Sequence, residues 1–322
     1  MYWQTLKTSN GTFHLYGAYY DNRTLVVMKP VVRMLGMIDR IEPKVKTYCQ
    51  FWFPGHKEPI FAKVFKYKFV WYKTWGNYKN GLFQPYFISC QIPVGFRHMV
   101  PASVSLVEKP CDMAVTNLRV IYNKPENGTK KDFAVCVKGL DFLNEDLSVR
   151  LVEWIETLHH LGADKIFMYE LEVHPNITKI LRHYQEKGIV EVTPITLPGS
   201  QPNIPGLMHM YLKSKLTNKR QNELIPYNDC LYKNLYRYKF ITLLDTDEVI
   251  MPKGINLYWK DLMDNVLRQA ELAKKSPKAS YNVRNVYFFD SVNSKEKSAV
   301  SSDIPPYMHM FQHIQRLVLH GR

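Results

Sequence analysis

Three acids stand close together in Asp245-Thr246-Asp247-Glu248, directly after the apolar run 240–244. If that run is a buried strand, its carboxyl end delivers the acids to the edge of a sheet. Strand alternation then points Asp245 and Asp247 to one side. Two carboxylates on one side make a hard-oxygen site suited to Mn2+ or Mg2+. Such an ion bridges a diphosphate, neutralises it and stabilises a departing nucleoside diphosphate as a Lewis acid. A bare Asp-x-Asp is common, and an ordinary turn at a strand end also favours aspartate. The apolar strand before it gives the metal reading its weight.

Further candidates surround this motif. Asn228-Asp229-Cys230-Leu231-Tyr232 opens a helix near 228–236, where Asn228 and Asp229 suit an N-cap and first turn. The other reading has them facing a nucleotide donor, because this helix feeds the acid-bearing strand. Glu170, placed after a strand at 165–169, is either a hydrogen-bond partner for a base or ribose, or a solvated loop acid. His309 and His313 have the i, i+4 spacing of metal ligands on a helix, but they lack the adjacent Glu of a protease motif and also fit surface histidines. A proton acceptor for group transfer is open, with Asp290 and Asp303 as candidates. The segment Val137-Lys138-Gly139-Leu140-Asp141 has one glycine, so the dinucleotide fingerprint Gly-x-Gly-x-x-Gly is missing. Neither a phosphate-cradling loop nor a Gly-x-Ser-x-Gly elbow occurs, which sets aside dehydrogenase, ATPase and serine hydrolase chemistry.

The elements that must position these residues fall into two textures. Residues 1–130 read as a β-rich subdomain, with aromatic and β-branched clusters at 13–20, 25–32, 47–53, 65–71 and 86–92 punctuated by Pro, Gly and Asn. The polar stretch 123–131 marks a boundary. Residues 131–322 read as an α/β core: a strand at 133–137, a helix at 146–161 ended by Gly162, the strand at 165–169, a helix at 175–187 closed by Gly188, and a strand at 189–192. A loop with five prolines between 194 and 226 follows, then the helix at 228–236 and the strand at 240–244. This rhythm predicts a parallel sheet between helices, with ligands beyond the carboxyl ends of the strands.

The chain has 322 residues and a net charge of +14. Its Lys and Arg are scattered, and without zinc-finger spacing or an RNP-like motif the charge reads as a basic enzyme surface rather than a nucleic-acid footprint. Cys49, Cys90, Cys111, Cys136 and Cys230 form no Cys-x-x-Cys, and their wide spacing fits disulfides or buried thiols. Glycosylation sequons start at Asn10, Asn22, Asn127 and Asn176 and point to the secretory route. No run approaches the ~18 apolar residues of a membrane span, and no signal peptide opens the chain.

Several segments in order carry a family resemblance. They are Ala18-Tyr19-Tyr20-Asp21-Asn22-Arg23, the strand at 133–137, and Glu153-Trp154-Ile155-Glu156 with Leu161-Gly162-Ala163. Gln221 with Asn228-Asp229-Cys230-Leu231, the signature Leu244-Asp245-Thr246-Asp247-Glu248-Val249-Ile250-Met251-Pro252, and the Phe-rich 281–289 continue it. Together they resemble glycosyltransferase family 92. The resemblance implies a GT-A-type nucleotide-sugar-binding core, an inverting mechanism, a UDP-hexose donor (galactose favoured), a glycan acceptor, and a type II protein of the Golgi membrane facing the lumen. Carried onto this chain, it puts Asp247 on the metal, Asp245 on the ribose and the metal shell, and Asn228 and Asp229 on the donor. Two departures stand out: the start has no membrane anchor, and residues 315–322 leave the pattern where further sheet and a metal-binding histidine segment are expected. The expectation is a truncated, catalytically weak chain whose full-length form has an anchor. The alternative is a non-catalytic glycan- or nucleotide-binding module that keeps the fold.

Overall fold

Strand-forming residues dominate the first third of the chain, and eight strands form there. The computed structural model describes residues 3–23, 28–276, 278–288, 305 and 307–311. The strands are β1 (Gln4–Thr8), β2 (Gly11–Asp21), β3 (Val31–Ile38), β4 (Tyr48–Trp52), β5 (Ile60–Phe69), β6 (Gln84–Gln91), β7 (Ser103–Val107) and β8 (Leu118–Ile121). Their order is β1-β2-β3-β6-β5-β4-β7-β8, and β8 also pairs in parallel with β2. Seven strands therefore close into a barrel, with β1 added on β2; closure leaves few unpaired strand edges. The strand expected at 25–32 instead begins at Val31, and 24–27 lie outside the described residues. The barrel core includes Phe13, Leu15, Met34, Phe51, Ile88 and Leu106. A Cys49–Cys90 disulfide joins β4 to β6, which are not neighbours in the ring.

The second half holds β9 (Lys131–Phe142), α1 (Ser148–His160), β10 (Lys165–Val173), α2 (Pro175–Glu186), β11 (Val190–Pro194), α3 (Leu207–Ser214), α4 (Leu216–Asn234), β12 (Tyr238–Leu243) and α5 (Trp259–Leu272). The four strands form an all-parallel sheet in the order β11-β10-β9-β12. Val135, Val137, Ile166 and Met168 pack against Trp154, Ile155 and Leu181 of α1 and α2 on one face. On the other face Ala134, Cys136, Phe167 and Tyr169 meet Ile225 and Cys230 of α4, together with Tyr16, Tyr19 and Met37 of the barrel. Helix α4 is thus wedged between sheet and barrel, and a Cys136–Cys230 disulfide fastens it to β9. Cys111 is free and exposed.

The mixed α/β class and the β-rich N-terminal region are as expected; among the described residues the second half is a four-stranded parallel sheet beside a closed barrel, and 281–288 are exposed without a strand. Two expectations are corrected here. The proline-rich stretch is not one loop and the helix does not open at Asn228, because α3 and α4 occupy 207–214 and 216–234. Pro226 lies inside α4, where its ring and missing N–H cost about 3 kcal/mol. Burial of Ile225, Pro226 and Cys230 along the same helix offsets that cost. Lastly, β12 is not a fully buried central strand: it pairs only with β9 among the described residues, and Leu243 is exposed. No described helix is long and apolar enough to cross a membrane.

Candidate functional site

The sheet order reverses between β9 and β12. From β9 the chain steps outward through β10 to β11, then returns to lay β12 on the other side of β9. Ligands of open parallel sheets bind in the crevice at such a switch point, outside the carboxyl ends of the strands. The register pairs Leu243 with Cys136, and continuing it by two residues brings Asp245 opposite Lys138. There the Lys138 ammonium lies 2.6 Å from Asp245 Oδ2 and 3.8 Å from Glu223 Oε1 of α4. The Tyr227 hydroxyl, one helical turn on from Glu223, donates to Asp245 Oδ1 at 2.8 Å. Two strand ends and one helix therefore converge on one carboxylate.

The electrostatics follow from this packing. Burial works against the Lys138 ammonium, but Asp245, Glu223 and Asp247 outweigh it, and the group titrates above its ordinary value. Burial, followed by the Asp245 carboxylate, pushes the Tyr227 hydroxyl far up, so it stays a donor at any physiological pH.

The acids after the strand form a turn. The Glu248 amide donates to the Asp245 carbonyl at 3.0 Å, and Glu248 Oε2 accepts from the Asp245 amide at 3.1 Å. Below the turn, Trp154 of α1 donates its indole N–H to the Glu248 carbonyl at 2.8 Å. Strand alternation thus stops at Leu243 and does not set the side of Asp247, which is exposed at the turn.

This donor set does not fit a divalent cation as it stands. Both Asp245 oxygens already accept from Lys138 and Tyr227. Among the described residues no three His, Cys, Asp or Glu side chains are grouped to hold a metal. The cation at the switch point is the lysine.

The other named residues lie elsewhere. Asp229 is fully buried on the barrel side of α4, accepting from Tyr19, from the Tyr169 hydroxyl at 2.6 Å and from Lys233 at 2.6 Å. Burial, then this carboxylate, hold both tyrosine hydroxyls well above their ordinary range. Glycine at 17 makes room: a Cβ there would sit 2.5 Å from the Tyr19 hydroxyl oxygen. Asn228 turns back on its own helix and donates to the Leu224 carbonyl at 2.7 Å. Neither is a cap residue, for both lie well inside α4. Glu170 sits within β10 rather than after it; burial, then Glu172, raise its carboxyl above the ordinary value. His309 is in a bend, not a helix, and His313, Asp290 and Asp303 lie outside the described residues. The backbone N–H groups of His309, Met310 and Phe311 converge on the buried Glu153 carboxylate of α1, at 2.9, 2.9 and 3.2 Å.

Buried Asp21 accounts for another motif. Burial alone would raise its carboxyl, yet hydrogen bonds from Arg23 and Arg33 hold it below its ordinary value. Lys138, Glu223 and Tyr227 escaped the sequence reading. Lys138 had a signal, a lone charge ending an apolar run just as Asp245 does; the other two depend on α4 being one continuous helix.

The family model for Glycosyltransferase family 92 matches residues 131–318, more than half of the chain. The chain belongs to glycosyltransferase family 92. The match starts at the first residue of β9 and takes in the whole parallel sheet. The Caenorhabditis elegans protein named Glycosyltransferase family 92 protein F55C10.4 is similar at 24% identity over 145 residues, 45% of this chain. The aligned part spans about a quarter of that relative's length.

Proposed function

We propose that this chain transfers a hexose, galactose first among the candidates, from a UDP-sugar to a glycan acceptor with inversion at the anomeric carbon. The observation that carries the reading is the meeting of Lys138, Glu223, Tyr227 and Asp245 at the sheet's switch point, in a chain of this family. In the transfer the acceptor oxygen forms a bond to the anomeric carbon while the bond from that carbon to the diphosphate breaks. The electron pair leaves with UDP, and negative charge grows on the leaving oxygen. The Lys138 ammonium, held by Asp245 and Glu223 and 31% exposed, is the positive charge we place there, and a preorganised charge needs no reorganisation as the transfer proceeds. Tyr227 and Glu223 keep that ammonium and Asp245 in place. Asp245 and Asp247 are the candidates for ribose and metal contacts. Mn2+ or Mg2+ enters only as a ligand that must compete with Lys138 for Asp245, and no step is routed through it. The disulfides and exposed sequons support a lumenal setting, and the family resemblance is what suggests the Golgi and a type II membrane anchor in the full-length protein.

A UDP-sugar panel tests this, with glycan acceptors, with and without Mn2+, reading released UDP. Acceptor-dependent UDP release is the expected result. The rival reading, a binding module without turnover, draws on the full engagement of Asp245 by protein groups, and it is the outcome if UDP binds but no donor is consumed.

A further inference from the structure

An inverting transfer needs a group to take the acceptor proton, and the described structure holds one such pair near the switch point. His209 of α3 places Nδ1 2.8 Å from Asp141 Oδ1 of β9. The Asp141 side chain is 3% exposed and that of His209 14% exposed, so the carboxylate is sealed in while the imidazole keeps a path to solvent. An ionised carboxylate can only accept, so the Nδ1 position carries the hydrogen; the neutral tautomer that this contact selects has its lone pair on Nε2. An imidazole oriented by a buried carboxylate is the arrangement that serves as general base in many transferases and hydrolases.

Position supports this use. Asp141 lies three residues beyond Lys138 on the same strand, about 10 Å along it. A register shift in β9 between the pairs Cys136–Phe167 and Gly139–Tyr169 adds one residue on that strand. Lys138 falls within this shift and Asp141 beyond it, and both turn to the side covered by α3 and α4, as their partners Glu223 and His209 show. Gly139 lies between them and lines a small cavity with Leu171, Leu197, Leu212 and Glu223.

On the reading that the chain is an inverting transferase, we propose that His209 is its general base and that Asp141 positions it. The acceptor hydroxyl gives its proton to Nε2 as its oxygen bonds to the anomeric carbon. The bond to UDP breaks at the same time, and the imidazolium is balanced by Asp141. Neither residue was singled out by sequence, because a single His and Asp 68 positions apart carry no spacing signal.

His209→Asn is the informative variant. Its amide N–H can replace the Nδ1 donor to Asp141, which keeps α3 tied to β9 while removing the base. We expect unchanged UDP affinity by calorimetry, an unchanged melting temperature, and kcat lowered about 100-fold or more. Asp141→Asn should lower kcat while leaving KM for the donor in place, a split that loss of a mere tether would not give. If His209→Asn does not fold, His209→Gln takes the same measurements. Wild-type-like kcat, within about threefold, in a folded His209 variant overturns the assignment while leaving the transferase reading intact. A wild-type chain that releases no UDP from any donor overturns the transferase reading and the base with it.

Discussion

Asp229→Asn separates a donor ligand from a structural tie. The native carboxylate is buried and accepts from Tyr19, Tyr169 and Lys233, so its lone pairs are met by protein donors. An amide keeps one acceptor oxygen and turns the other into an N–H2 that faces donors. It also leaves the Lys233 ammonium, 17% exposed, without its counter-charge. Removing one partner of a buried pair costs ~3–5 kcal/mol. Because Lys233 can relax toward water, the lower end applies, about 3 kcal/mol. For a chain of this size that lowers the melting temperature by roughly 4–5 °C. Calorimetric melting gives the shift, and UDP titration at 15 °C gives the affinity of the folded fraction. We expect the melting shift with UDP affinity unchanged. A variant that melts like wild type yet no longer binds UDP would refute the reasoning and restore Asp229 to the donor site. A cycle with Tyr19→Phe adds a check: the two changes should be less than additive, because both remove the same bond.

Asp247→Asn should abolish any Mn2+-dependent UDP binding without altering the fold, and calorimetry with and without Mn2+ decides whether the exposed turn acid contributes to an ion site. Glu170→Gln should stabilise the protein at pH 7. The raised folded-state carboxyl favours the protonated form, so its stabilising contribution is full below the unfolded value near 4.5 and is lost as pH rises through the higher folded value. The gap between variant and wild type in urea midpoints should therefore close on acidification to about pH 4. In material secreted from animal cells, peptide mapping should find glycan at exposed Asn10 and Asn127 but not at Asn176, whose side-chain amide donates to Asp146 at 2.6 Å in the first turn of α2.

The parallel half of the fold was legible because its signals are local. Apolar runs, the turns at Gly162 and Gly188, and the amphipathic helix with Trp154 and Leu158 place β9, α1, β10, α2 and β11 within a few residues. Legibility failed where long-range packing overrode a local rule. Pro226 reads as a breaker, but its helix is held by the sheet, the barrel and the Cys136–Cys230 disulfide. At the site, Asp245 stood out because three acids follow an apolar strand. Its partners did not, since pairing Lys138 with Asp245 requires knowing that β12 lies beside β9, a relation between residues 107 positions apart. The buried acids Asp21, Glu153 and Asp229 were legible only as motif letters; three-dimensional contacts give them their roles.

The wedge of α4 between sheet and barrel limits how this family domain can be passed around as a module. The recognisable stretch begins at Lys131, yet the face it would expose on its own includes Tyr232 of α4, which lies against Tyr19 and Phe87 of the barrel, and Asp229, which meets the Tyr19 hydroxyl. It would also strip the Tyr19 hydroxyl from Asp229 and the Gln84 amide oxygen from Gln221. A gene fusion or excision cut at residue 131 would therefore sever a shared core. Expressed alone, residues 131–322 should aggregate or bind a chaperone through that face. Inheritance of the sheet without the barrel then requires a new covering for one side of α4, supplied by whatever sequence takes the barrel's place.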